Sequence, residues 1–539
     1  MKEQYKRMHT ADLHLPECHV RDAPTRSHLP QARALYFALL ATDADFDFDI
    51  DGPRHCPAHE ASISFLHQAL RDSSTLPCDL PDRLSGLDAW MTQHTHAVLA
   101  DYQVYLGQRR SGVGRRYFAT KTHALHFLMA VAPTKTVDGS WLFGLLPHWQ
   151  EERFSNLIRI YLDELGCGVP EQNHVLLYKR LLAANGCERW EHLDDEHFVQ
   201  GAIQLALAHN ADRFLPEVIG FNLGYEQLPL HLLISAYELN ELGIDPTYFG
   251  LHVTVDNADT GHARQALRGL RESLPVVGDR QAFYRRVMQG YRLNGLGAST
   301  TSVIADFDLE AELIAVLMRK SSAGKRAHAD YCRIDGRTVN DWLSQPANMP
   351  GFVAALQRCG WITRGQPAEI SRFWKLIEGE RADMFGVFSA YERQVLRDWI
   401  ASAAVTSDEP ANVTAPGGSI PARALSFKTR QKLLDNLERK QPTTSIAVGP
   451  EIGPEIGPEI GHGEQRTAPD HQNDRTVHDD AESGDFNAEL RELTVQLAQS
   501  SDQRHQMQIL TNLMAPSRHH THVGLHATRI FSRIFRGAG

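Results

Sequence analysis

The sequence predicts an all-α protein, and three observations point there. From about Leu87 to Ala404 apolar residues recur at three- and four-residue spacing, as in Phe154, Leu157, Ile158, Tyr161, Leu162 and Leu165. Alternating runs of strand type are scarce over the same stretch. At 42% hydrophobic residues in 539, the chain can also bury a large core, so the amphipathic stripes have something to pack against.

Taken in order, residues 1–85 read as an irregular N-terminal extension. ATDADFDFDIDGPRHCP (41–57) is acidic and rich in turn formers. Residues 86–340 read as the main helical domain and 341–404 as the last helices of the same globular unit, with about ten or more helices expected in all. Residues 405–485 are rich in Pro, Gly, Ser, Asp and Thr and contain the tandem repeat GPEIGPEIGPEIG (449–461). A Pro and a Gly in every four residues sustain neither a helix nor an apolar face, so this stretch is expected to be a disordered linker. Residues 486–515 suit a helix again. Residues 516–539 end in HVGLHATRIFSRIFRGAG, short, basic and amphipathic. Two readings of that tail stand: a frayed end, or a segment that touches a partner or a membrane surface.

Composition removes several classes of function. The formal net charge of −11 leaves no basic footprint for nucleic acid. Seven scattered cysteines with no CxxC pair suggest neither a disulfide framework nor a zinc ribbon. No apolar stretch of about 18 residues exists to span a bilayer, and the N-terminus has no signal-peptide core. The expected setting is the reducing cytoplasm.

The segment YFGLHVTVDNADTGHARQALRGL (248–270) is the richest in metal-binding side chains. Read as one helix at about 100° per residue, it puts Asp256 about +40°, Asp259 about −20° and His262 about −80° from His252, a single face about 120° wide. Two carboxylates and two imidazoles on one stripe call for a neutralising cation, and that mixture suits iron or manganese. A solvated polar face, or a helix that ends at Asn257–Gly261, is the competing reading. DNADTG lacks the oxygen donors of a calcium loop, and Asp259-Thr260-Gly261 sits in a helical pattern rather than the strand of an aspartic protease.

Other helices offer partners. His174 precedes Leu177, Tyr178 and Leu181 at +3, +4 and +7, which places it on a buried stripe. Glu164 flanks the apolar stripe of HWQEERFSNLIRIYLDEL while Asp163 points away. In RFLPEVIGFNLGYEQLP, Leu215, Ile219 and Leu223 share a face with Glu226, whereas Glu217 lies opposite and near the N-terminus. Glu217 is therefore assigned to the helix dipole and Glu226 to the interior. Each of these residues alone is more often an ordinary core or surface group; together they match the logic of bundles in which facing helices supply Glu and His inward.

The order Glu-x9-His (Glu164, His174), a lone Glu (Glu226) and His-x3-Asp (His252, Asp256) resembles the haem-oxygenase-like di-iron oxidases and oxygenases. GYEQLPLHLLISAYELNELGIDPTYFGLHVTVDNADTGHA (224–263) and FWKLIEGERADMFGVFSAYERQVLRDWI (373–400) are similar to the branch called iron-containing redox enzymes. The likeness spans roughly residues 85–402. It implies a haem-oxygenase-like helical bundle without porphyrin, two Fe(2+) per chain and O2 as co-substrate for the oxidation of a small organic molecule. Branches of the family desaturate, cleave C–C bonds or hydroxylate nitrogen, and the fold does not fix the reaction. The family's pattern is His-x3-Asp-x2-His, and here Asp259 stands where the second His belongs. One register takes His252, Asp256 and Asp259 as ligands beside Glu164, His174 and Glu226. The other starts from Asp259-x2-His262 and puts Val255 in the first histidine's place. Both remain open, as does a homodimer. The alternatives from other classes are a metal-free helical binding protein and a haem-binding or haem-degrading one.

Overall fold

A computed structural model describes residues 31–42, 57–255, 261–329, 331–379, 382–403 and 479–537 of the chain, without the side chains of 254–255 and 479–487. The protein is all-helical: among the described residues the one sheet is a two-residue hairpin, Arg333–Ile334 antiparallel to Arg337–Thr338. These residues fall into two compact units, one of residues up to 403 together with 496–537, the other holding 479–495.

The helices form where the apolar spacing places them, and side-chain caps set several of their starts. Ser155–Glu164 buries Leu157, Ile158, Ile160, Tyr161 and Leu162. Asn173 accepts the Leu176 N–H and opens His174–Asn185, while a Ser389/Glu392 capping box opens Ala390–Ala401. That last helix returns to the main core: Trp399, Leu396 and Val395 share one apolar cluster with Phe118, Leu125 and Tyr178. Asp398 Oδ2 also accepts from the Thr122 N–H and hydroxyl, both at 2.7 Å. Residues 341–403 thus pack into the same core as the 118–182 helices.

Three boundaries differ from the sequence expectation. The extension read as irregular contains two helices, Ala32–Thr42 and Pro57–Asp72. Ala32, Leu35, Tyr36 and Leu39 of ARALYFALLAT are buried at helical spacing, a signal too short to stand out beside the acidic run that follows it. At the other end, a helix begins at Asp479, inside the expected linker, and a second helix follows at Gln503–Leu513; residues 405–478 lie outside the described residues. The tail is a helix, His522–Gly537, with Val523, Leu525, Ala527, Phe531 and Phe535 buried, so its apolar face is used within this chain. No helix among the described residues is long and apolar enough to cross a membrane.

Candidate metal centre

Six buried side chains from six separate stretches of backbone meet inside the bundle. Asp138 follows the short helix Ala132–Lys135 and precedes Gly139, whose φ of 78° turns the chain. Only glycine fits there: a Cβ at 139 would lie 2.8 Å from the Glu164 Cβ. Glu164 is the last residue of Ser155–Glu164 and His174 the first of His174–Asn185. The turn between them reverses through Gly166, Cys167 and Gly168, all at positive φ. Glu226 is the C-cap residue of Leu215–Tyr225. His252 lies late in Thr247–Val255, and His262 opens His262–Glu272. All six are at most 7% exposed.

The side chains form two groups that share Glu164. Asp138, Glu164, His174 and His252 bring one oxygen or nitrogen each to within 4.8 Å of one another, and Glu164, Glu226 and His262 do the same. Glu164 Oε2 lies 2.5 Å from His174 Nδ1, while its Oε1 lies 3.4 Å from His262 Nδ1. His262 Nδ1 is also 3.2 Å from Glu226 Oε2, and His252 Nε2 is 3.3 Å from Asp138 Oδ2. The His174 and His252 rings stand edge to face, with centroids 4.4 Å apart. Asp138 has two further supports, the Tyr248 hydroxyl donating at 2.5 Å and the Lys135 ammonium at 3.8 Å.

The electrostatics favour charge on the acids. Burial alone pushes the Glu164 carboxyl up, but His174, His262 and His252 together hold it well below the usual carboxylate range. Burial likewise raises Asp138, and Lys135 and His252 outweigh it, so its carboxyl is also lowered. The same aspartate, together with burial, keeps the Tyr248 hydroxyl protonated. Carboxylates and imidazoles concentrated in a dry interior are costly unless a cation joins them. One observation fits that role directly. Glu164 Oε2 and His174 Nδ1 are buried and 2.5 Å apart, yet neither makes a bond of hydrogen-bond geometry. Two donors crowded together without bonding each other suit a shared ion, and a set of oxygens and imidazole nitrogens suits iron.

Of the residues expected from sequence, Glu164, His174, Glu226, His252 and His262 are brought together. Asp256 and Asp259 lie outside the described residues. The single stripe over 252–262 does not hold. Gly261 has an extended backbone and begins a new helix, so His252 and His262 belong to different helices and to different groups. Glu217 also needs correction. It does sit in the first turn of its helix, but it is buried and paired with Arg286, whose Nε and terminal nitrogen each donate to it at 2.7 Å. The wheel shows which side of a helix a residue faces; it is silent about a neighbouring helix that buries that side. Asp138 was not anticipated. Its signal is an acidic residue in a tight Asp-Gly turn amid apolar sequence, which carries no periodicity.

No curated protein and no solved structure matches the chain. One family does: residues 125–295, which hold all six of these side chains, match the model of the iron-containing redox enzyme family.

Proposed function

We propose that the protein is a non-haem di-iron oxidase or oxygenase that uses O2 to oxidise a small organic molecule in the cytoplasm. The observation that carries this reading is the pair of buried carboxylate–imidazole groups joined by Glu164. Asp138, Glu164, His174 and His252 would hold one iron, and Glu164, Glu226 and His262 the other. Asp256 and Asp259 stand as further candidate ligands on the chain between the two histidines. When bound, the irons would supply the electrons that activate O2.

The chain's own residues have plain tasks in this scheme. Glu164 presents one oxygen to each group and so sets the distance between them. Tyr248 and Lys135 orient Asp138 and stabilise its charge. Tyr248 also packs against the edges of both His174 and His252, which fixes the ring planes and keeps bulk water from that side. Helices anchor every one of these groups at or beside an end, a rigid arrangement for ligands that must keep one geometry. The free thiols Cys78, Cys167, Cys187, Cys332 and Cys359 suit a reducing compartment.

Loading the full chain with Fe(II) under anaerobic conditions, followed by iron analysis and an O2-uptake measurement, tests the reading. About two irons per chain and O2 consumption by the loaded protein are expected. Protein that takes up no iron under these conditions would instead be the metal-free binding module.

A further inference from the structure

The turn 165–173 carries a candidate ligand at each end, Glu164 before it and His174 after it. The C-terminal segment holds that turn and the two helices it joins. Tyr161 donates its hydroxyl to the Met514 carbonyl at 2.7 Å, and Arg529 Nε donates to the Gly168 carbonyl at 2.9 Å. Lys179 Nζ meets His520 Nε2 at 2.6 Å, and the Arg536 guanidinium lies 3.1 Å from Cys167 Sγ. The fit leaves no slack, since a Cβ on Gly168 would collide with the Leu525 carbonyl.

Asn173 is where these contacts reach the centre. Its Oδ1 accepts the Leu176 N–H at 2.9 Å and so caps the helix that starts at His174. That cap fixes which way the amide points, and its nitrogen must face the other side. There Nδ2 reaches the Leu165 carbonyl at 3.3 Å and His519 Nδ1 at 3.2 Å. His519 is 1% exposed and acts as the acceptor. One amide therefore ties together the residue after Glu164, the start of the His174 helix and the C-terminal segment. The same segment walls the other group: Phe535 and Arg536 line a small cleft with Arg159, Leu162, Asp163 and Gln265, and Asp163 Oδ2 lies 3.5 Å from His262 Nε2.

We propose that residues 514–536 are a positioning element of the metal centre, with His519 holding Asn173 and thereby the separation of Glu164 from His174. This rests on the metal reading above. A residue more than 340 positions away in sequence then governs how well the first pair of ligands closes on an ion. The role is positional, because the hydrogen bond of His519 goes to Asn173 and not to either ligand; it acts through the amide that caps one helix and ties down the end of the other. Hydrogen-bond partners of metal ligands commonly change affinity by about 10- to 100-fold when removed. A partner one step further out belongs at the low end of that range.

The test is an anaerobic Fe(II) titration of the full chain, with Tm of the metal-free protein read in parallel. His519→Leu should weaken Fe(II) binding by about tenfold. His519→Asn keeps an acceptor near the Nδ1 position and should bind as the wild type does. Arg529→Leu, which frees the Gly168 carbonyl at the middle of the turn, should weaken binding severalfold. Equal affinity in His519→Leu and wild type overturns the proposal, and so does a His519→Asn variant as weak as His519→Leu, because space-filling would then be the whole role. Should His519→Leu fail to fold, Arg529→Leu decides, and wild-type affinity there is equally fatal. A wild-type chain that binds no Fe(II) overturns the di-iron reading first and this proposal with it.

Discussion

The helix Leu215–Tyr225 and its C-cap carry two glutamates, Glu217 near the start and Glu226 at the end, and both are 3% exposed. Their surroundings differ completely. Glu217 is clamped by Arg286, which also reaches the Arg213 carbonyl at 2.9 Å. Glu226 faces His262 and, beyond it, Glu164. Glu238 resembles the first case. It is fully buried, and it accepts from the Tyr105 hydroxyl and from the backbone N–H groups of Arg116, Tyr117 and Phe118. Burial therefore does not separate a structural carboxylate from a candidate ligand. The partners do: a permanent cation or a cradle of N–H donors satisfies the charge outright, whereas a neutral imidazole brings no charge and keeps a lone pair for an ion.

Substitutions along this contrast have graded expected effects. Glu164→Gln should be the most severe, since it alters the one side chain common to both groups; iron content after anaerobic loading should fall from about two per chain to nearly none. A variant that keeps both irons would show that Glu164 does not join the groups. Glu226→Ala should leave the Asp138–His174–His252 group intact and cost about half the iron, with O2 uptake lost because the second site is incomplete. Retention of both irons there would place Glu226 with Glu217. Glu217→Ala should have the opposite profile, full iron and lower stability. Breaking a fully buried ion pair costs about 3–5 kcal/mol, but Arg286 is 45% exposed and can be rehydrated, so a loss of about 1–3 kcal/mol by urea unfolding is expected. Iron loss in that variant, at unchanged stability, would reverse the assignment of the two ends.

How much of this was legible in the sequence depended on the kind of signal. Glu164, His174 and Glu226 flank apolar stripes of regular helices, and periodicity places such residues on an inner face without knowledge of the fold. His252 and His262 were legible as residue types, but their geometry was not. An unbroken wheel put them on one stripe, whereas the extended backbone at Gly261 starts a second helix and sends each histidine to a different group. Asp138 was invisible because a tight turn has no period, and its location is set by a close approach of Gly139 to Glu164 across 25 residues of sequence. The Arg286 partner of Glu217 and the docking of His519 against Asn173 are long-range facts of the same sort. Pattern along one helix carries information about its own faces, and pairing between helices lies outside it.

Asp138 stands between the two sides of the comparison, and the smallest predicted effect decides where it belongs. Like Glu217, it has a nearby cation, Lys135 at 3.8 Å; like Glu226, it faces an imidazole, His252 at 3.3 Å. The Tyr248 hydroxyl donates to the same Oδ2 at 2.5 Å, so one oxygen collects all three contacts. Tyr248→Phe removes the hydroxyl and keeps the ring that packs on His174 and His252. Loss of that bond should cost about 1 kcal/mol of stability whichever role Asp138 plays, because Lys135 and His252 remain to share the charge. Iron affinity separates the roles. As a ligand, Asp138 would lose the donor that orients its carboxylate, and Fe(II) binding should weaken by about tenfold. As a counter-ion for Lys135, it would leave Fe(II) binding unchanged while stability still fell. The second outcome would remove Asp138 from the candidate ligands and leave His174, His252 and Glu164 as that group's donors.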